Sequence, residues 1–163
     1  MILQYFKKKE NKELIIATDQ YKKILFESKN FMNMHNFFKV KDYKTSFEIV
    51  SFFLIIFIRK NLLEDNRKQF LKVNDKLVSL FISDLDESLR EKGIGDMSIG
   101  KYVKSYVKKF YFRLSKFPSE NYIHTNEILI EYLKLTDLIK NDDYLNVSRI
   151  FSDKFNDFIK SKN

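Results

Sequence analysis

Cysteine is absent from the 163 residues, and histidine occurs only twice, as His35 and His124. The lack of cysteine excludes disulfides and thiolate metal sites, so the fold must rest on an apolar core, which a chain of this length can bury as one domain. Neither histidine belongs to a ligand motif, so a zinc or iron site would need mostly carboxylates. We therefore expect no metal and no cofactor.

Glycine is scarce as well, and its three copies fall within eight positions: Gly93, Gly95 and Gly100. Glycine reaches backbone angles that other residues adopt only at a cost, so the one demanding turn of the chain is predicted here. We expect Gly93 to end the preceding helix as its C-terminal cap. The following helix is predicted to begin near Ile99, with Asp96 or Ser98 as its N-terminal cap.

Long hydrophobic runs are also lacking. The most apolar stretch comprises residues 49–58 and is closed by Arg59 and Lys60. As a helix it would reach about 15 Å, roughly half of a bilayer core, so it cannot span a membrane. We interpret it as a central helix that other helices surround, with a peripheral membrane contact as the alternative. The first 13 residues fit neither a secretory signal nor a mitochondrial presequence, so we expect the chain to begin here and to stay in the cytoplasm.

Apolar residues recur at helical spacing through most of the chain, and no useful strand-like alternation occurs. Helices are predicted over residues 11–27, 43–62, 66–92 and about 99–117, followed by two shorter amphipathic segments. Residues 28–36 are predicted to loosen into a connection or a short helix. The expected fold is all-α, a single compact domain over residues 1–163 with about six to seven helices around the apolar central helix.

The formal net charge of +8 favours an acidic partner such as nucleic acid, the ribosome or an anionic membrane surface. The local charge along the chain changes sign across the glycine turn. The stretch before the turn is acidic, with Asp84, Asp86, Glu87 and Glu91. The helix after the turn is basic, with Lys101, Lys104, Lys108, Lys109, Arg113 and Lys116 and no acid among them.

Three of these lysines, Lys101, Lys104 and Lys108, lie opposite the apolar stripe of their helix, so an exposed basic face is predicted. Aromatic residues are interleaved with them: Tyr102, Tyr106, Tyr111 and Phe112. Lysines can meet phosphates while aromatic rings stack on bases, so direct binding of nucleic acid is one alternative. Packing of the tyrosines against the core is the other.

Two enzymatic interpretations of the turn are poorly supported. Residues 95–101 satisfy most of the phosphate-loop pattern, but Tyr102 stands where Ser or Thr should hold magnesium, and a helix is predicted where a strand should precede. The acidic residues could be catalytic carboxylates, but a solvated helix face with ion pairs to Arg90 and Lys92 explains them more simply. We expect no enzymatic activity.

The turn and its helices carry a spaced run of residues, from Phe81 through Gly93-Ile94-Gly95-Asp96 and Ile99-Gly100-Lys101 to Phe110-Tyr111-Phe112-Arg113-Leu114. This run resembles the signature of the ubiquinol-cytochrome c chaperone family over about residues 40–117, whereas residues 1–39 and 118–163 match weakly. The residues that we assign to the motif or to partner binding are Asp84, Asp86, Arg90, Glu91, Gly93, Gly95, Asp96, Gly100, Lys101, Lys104, Lys108, Tyr111 and Arg113. The chain departs from the family pattern at Phe112, where glycine is usual, and at Phe53, where histidine is common.

The resemblance implies a helical, non-enzymatic chaperone that binds newly made cytochrome b and promotes assembly of ubiquinol-cytochrome c reductase, respiratory complex III. It implies further partners in the ribosome exit region and a small helical protein, and no small-molecule substrate. The basic face adds an anionic membrane surface as an alternative partner. The expected location is cytoplasmic, with a peripheral position on the inner face of the cytoplasmic membrane as an option. The alternative function is a basic helical module that binds nucleic acid or the ribosome.

Overall fold

The computed structural model describes residues 2–117 and 126–161, with side chains from residue 12 onwards in the first segment. Within these ranges it contains six α-helices. Their bounds are Ile2–Met34 (α1), Tyr43–Asn61 (α2), Arg67–Glu91 (α3), Asp96–Lys116 (α4), Glu127–Thr136 (α5) and Tyr144–Lys160 (α6). The predicted all-α, single compact domain is confirmed.

Helix α2 lies at the centre of the molecule and packs against α1, α3, α4 and α6. Its apolar run is buried except at Val50, which is partly exposed, and Ile49, Phe52 and Phe53 have no solvent exposure. This confirms the interpretation of residues 49–58 as a central helix that protein surrounds. Among the described residues, no helix is long and apolar enough to cross a membrane.

Aromatic rings join the outer helices to α2. Phe52 of α2 lies 4.8 Å from Phe151 of α6, measured between ring centroids, and Phe151 lies 5.1 Å from Phe31 of α1. Phe117, just after α4, stacks on Phe155 of α6 with a centroid distance of 6.2 Å. These contacts bring the two ends of the chain onto the same core.

Helix α1 is longer than predicted, and the expected break over residues 28–36 is wrong. The helix continues to Met34, although the sequence there is polar. Ser28 turns its hydroxyl inward and donates it to the carbonyl of Ile24 at 2.7 Å, and Phe31 is buried against the aromatic cluster. Tertiary packing therefore extends the helix beyond the point where local polarity suggests an end.

The basic residues that close α2 have structural partners. The guanidinium of Arg59 donates to the carbonyls of Leu114 and Phe117, both at 3.2 Å, and so satisfies free carbonyls at the C-terminal end of α4. Lys60 is buried and donates to the hydroxyl of Ser161 at 3.0 Å. Arg59 therefore links α2 to the end of α4, and Lys60 links it to the residue that follows α6.

Candidate partner-binding surfaces

The turn between α3 and α4 begins with Gly93, whose φ of +83° lies in the left-handed region. The amide of Gly93 donates to the carbonyl of Arg90 at 2.8 Å, and the amide of Ile94 donates to that of Leu89 at 3.2 Å. This pair of hydrogen bonds is the Schellman arrangement, which satisfies carbonyls at a helix end and favours glycine at the left-handed position. The predicted C-terminal cap is confirmed.

Helix α4 begins three residues earlier than predicted, and neither Asp96 nor Ser98 is its N-terminal cap. The cap is Gly95, whose carbonyl accepts from the amides of Ser98 at 2.9 Å and Ile99 at 3.1 Å. Asp96 is instead the first residue of the helix, where a carboxylate interacts favourably with the helix dipole. The tight turn leaves no residues for a separate capping segment.

An ion-pair network connects the two sides of the turn. Arg90 pairs with Asp86 one helical turn earlier, at 2.6 Å, and with Asp96 across the turn. The predicted local ion pair of the acidic stretch is therefore present for Asp86. Lys92, the other expected cation, instead lies over the ring of Tyr43 at 4.7 Å from its centroid. The side chain of Arg90 thus links the last turns of α3 to the first residue of α4.

Asp84 lies two residues before Asp86 on α3 and faces α1. Its carboxylate accepts a hydrogen bond from the hydroxyl of Tyr21 at 2.7 Å. Burial raises the pKa of Tyr21, and the hydrogen bond to Asp84 raises it further. Six of the seven remaining motif residues lie at the surface: Glu91, Gly100, Lys101, Lys104, Lys108 and Tyr111.

The backbone around the glycines differs from a phosphate loop. The segment that leads into the turn is the last part of helix α3, whereas a phosphate loop follows a strand. The carboxylate of Asp96 occupies the start of α4, the end where phosphate would have to bind. The turn therefore connects two helices and has no phosphate cradle.

Arg113, which the sequence analysis assigned to the motif or to partner binding, does not lie on the exposed basic face. Only 8% of Arg113 is exposed, and its guanidinium donates to both carboxylate oxygens of Glu48 on α2, at 3.0 and 3.2 Å. The hydroxyl of Tyr132 on α5 donates to the carbonyl of Glu48 at 3.0 Å, and burial, then the charge of Glu48, raises the pKa of Tyr132. Glu48 directly precedes the apolar run in the sequence. A carboxylate next to a helix that is predicted to be buried needs a cation as its partner, and this signal could have indicated a buried Arg or Lys.

The outer face of α4 is basic and partly apolar. Its exposed lysines are Lys101, Lys104, Lys108, Lys109 and Lys116. Four large side chains are exposed with them: Met97, Tyr102, Tyr111 and Phe112. Tyr106 instead packs against Phe47, with ring centroids 4.7 Å apart. Ile99, Phe110 and Phe117 are buried, so the predicted division into a core stripe and a basic face is confirmed.

An open groove of about 320 Å³ separates α4 from α5. Its apolar walls are formed mainly by Phe112, Phe117, Ile128, Tyr132 and Leu135. Phe112 and Leu135 are about half exposed, so the rim presents apolar side chains to solvent. Sequence analysis missed this groove, because it depends on how α5 lies beside α4.

The structure defines an all-α protein in which a capped glycine turn joins two long helices beside a buried apolar helix. A family model described as "Ubiquinol-cytochrome C chaperone" matches residues 38–118, about half of the chain, and these residues include α2, α3, α4 and their turn. The chain belongs to the ubiquinol-cytochrome c chaperone family. This confirms the family predicted from the motif.

A solved structure shares the fold. It is the "Crystal structure of the Cbp3 homolog from Brucella abortus", which matches with a TM-score of 0.73 and 22% sequence identity over 100% of this chain and 91% of that chain. The match extends over all six described helices, including those outside the family model. No curated protein matches the sequence.

Proposed function

We propose that the chain is a non-enzymatic assembly chaperone that binds newly made cytochrome b on its way into ubiquinol-cytochrome c reductase. Family membership supports a role in assembly of complex III, and this is the observation that carries the proposal. The matched region contains the capped turn and the outer face of α4, so the part of the chain that defines the family also presents a large exposed surface.

The surface chemistry suits an apolar client. The groove between α4 and α5 is walled by aromatic and aliphatic side chains, and such grooves accept the apolar face of a helical segment. A protein that holds a client must also release it, which favours a shallow, open groove over an enclosed cavity. We place the client on this side of the molecule.

The proposal is tested by copurification from the cells that make the protein. A tagged full-length chain should bring down cytochrome b, and deletion of the chain should lower cytochrome b and complex III together. An unrelated membrane subunit, such as one from ATP synthase, is the control for nonspecific capture. Normal levels of complex III in the deletion strain would contradict the proposal.

The exposed lysines of α4 favour a second candidate, a module that binds ribosomal or other nucleic acid. The same copurification distinguishes the two. Recovery of ribosomal proteins that is lost after ribonuclease treatment, without cytochrome b at any step, would support the nucleic-acid module. Recovery of cytochrome b that survives ribonuclease supports the chaperone.

A further inference from the structure

We propose that the outer face of α4, together with Leu135 of α5, docks this protein on the surface of an anionic lipid bilayer. This docking face consists of Met97, Lys101, Lys104, Lys108, Tyr111, Phe112 and Leu135. The inference does not depend on the identity of the client, because it concerns where the protein is held and not what it binds there.

On α4 the charge of the docking face is uniform, and one carboxylate, Glu131 of α5, lines the groove between Phe112 and Leu135. Residues 97–116 contain five lysines and no aspartate or glutamate, and the one arginine is neutralised inside by Glu48. The lysines are all exposed and spread along a helix of 21 residues. Within the described residues none of these lysines forms an ion pair with a carboxylate. A row of such lysines on one side of a helix is complementary to a surface of negative charge and is attracted over about a Debye length.

Apolar side chains occupy the same face as the lysines. At 100° per residue, Met97, Tyr111 and Phe112 fall within the roughly 100° arc that Lys101, Lys104 and Lys108 also occupy. Met97 is fully exposed, and the other two are about half exposed. A helix face that contacts only water gains nothing from exposed apolar side chains. A helix at a membrane interface buries such side chains among the acyl chains, while its lysines extend to the headgroups.

The apolar side chains suit lipid better than nucleic acid. The ring of Phe112 has the Lys116 ammonium 5.5 Å and the Arg113 guanidinium 5.8 Å from its centroid, so cations already occupy positions beside it that a base would need. Met97 and Leu135 have no ring on which a base could stack. Both can enter the acyl region of a bilayer, and Leu135 extends the docking face across the groove onto α5.

The absence of tryptophan makes insertion directly measurable, because one introduced tryptophan is the only one in the protein. Phe112→Trp should show a blue-shifted emission and quenching by brominated acyl chains with phosphatidylcholine vesicles that contain roughly one third phosphatidylglycerol, and neither with phosphatidylcholine alone. Leu71→Trp on α3 is the matched control, since Leu71 and Phe112 are both 47% exposed. An equal response from the two reporters, or none from either, would overturn the proposal.

The contribution of charge is tested by vesicle flotation of the full chain. The triple variant Lys101→Gln, Lys104→Gln and Lys108→Gln should bind anionic vesicles at least about tenfold more weakly, and binding of the native chain should fall as salt rises. The control variant replaces three exposed lysines of α1 and α3 with glutamine: Lys22, Lys29 and Lys72. Its net charge equals that of the α4 triple variant.

Near-native flotation of this control supports a docking face, whereas equal weakening of both variants would reduce the effect to net charge and overturn the proposal. Displacement of the protein from RNA by the α4 substitutions, without any vesicle binding by the native chain, would assign the lysines to nucleic acid instead. Vesicle binding that is lost while cytochrome b still copurifies separates this inference from the chaperone proposal.

Discussion

At the scale of single residues, Gly93 and Gly100 differ in whether the backbone requires glycine. Gly93 needs its φ of +83°, whereas Gly100 lies inside helix α4 with ordinary backbone angles. An added Cβ would meet nothing within 4 Å at either position, so any difference between them comes from the backbone alone. A substitution at Gly93 therefore tests the need for the left-handed backbone angle, without any steric clash of the added Cβ.

Gly93→Val should lower the free energy of unfolding by about 1–3 kcal/mol, because a β-branched residue is strained in the left-handed region. Gly100→Ala should raise it by up to about 1 kcal/mol, because alanine loses less entropy in a helix. Urea denaturation followed by circular dichroism measures both. Unchanged stability of the valine variant would mean that the turn does not require glycine.

Tyr43 carries a buried hydroxyl with no hydrogen-bond partner among the described residues. Burial, then the nearby Tyr106 and Asp84, raises its pKa to about 12. Tyr43→Phe removes the unpaired group and retains the ring, so at pH 7 it should be neutral or stabilise the fold by up to about 1 kcal/mol. A clear loss of stability at pH 7 would show that the hydroxyl has a partner.

The same substitution has a signature at high pH. The unfolded chain releases the Tyr43 proton near pH 10, whereas the folded protein keeps it until about pH 12. Between these values the unfolded state binds fewer protons, so this tyrosine contributes stability below pH 10 that is lost as pH rises through 12. The alkaline decline in unfolding free energy should therefore be shallower in Tyr43→Phe than in the native chain. Parallel declines would assign the effect to other groups.

At the scale of helices, the pair of Glu48 and Arg113 is a buried ionic contact between α2 and α4. Both side chains are almost fully buried, so removing one partner leaves an uncompensated charge in the core. Attraction and desolvation nearly cancel in such pairs, so the intact pair itself contributes little net stability. Its importance lies in the cost of breaking it, because removal of either partner leaves the other charge buried and unpaired.

Arg113→Met should therefore destabilise the protein by about 3–5 kcal/mol, and the double variant with Glu48→Leu should recover most of that loss. Lys116→Met, on the exposed side of the same helix, is the control and should change stability by less than about 0.5 kcal/mol. Thermal or urea unfolding of the native chain, of both single variants, Arg113→Met and Glu48→Leu, and of the double variant completes a double-mutant cycle. Additive losses in the double variant would show that the two charges do not depend on each other.

At the scale of the whole molecule, the residues that the family model matches are fewer than the residues that form the core. The family match covers residues 38–118, which contain α2, α3 and α4. The buried face of α2 is also covered by Ile24 and Phe31 from α1 and by Phe151 and Phe155 from α6. We propose that the 163 residues form one cooperative unit in which the less typical ends complete the core.

A fragment of residues 38–118 should consequently fail to fold cooperatively. Without α1 and α6, the apolar run of α2 would be exposed, so the fragment should bind the dye ANS, keep helical far-ultraviolet circular dichroism and lose a sharp melting transition. The full chain should unfold in a single transition with coincident near- and far-ultraviolet signals. Cooperative melting of the fragment would show that the ends are accessory.

Sequence by itself determined the features that depend on neighbours along the chain. Helical periodicity identified α2, α3 and α4 to within a few residues, and the concentration of glycine located the turn and its cap at Gly93, because backbone angles and residue spacing are local properties. The motif also identified the family. The exposure of Lys101, Lys104 and Lys108 followed from the same periodicity.

Only the tertiary structure decided which charged and aromatic groups meet across long separations. It continued α1 to Met34 by packing Phe31 on the core, paired the buried Arg113 with Glu48, and formed an apolar groove between α4 and α5. Residues 48 and 113 are far apart in sequence, and no local pattern encodes their pairing. Burial of a charge is decided by the position of its partner, and that position exists only once the helices have packed.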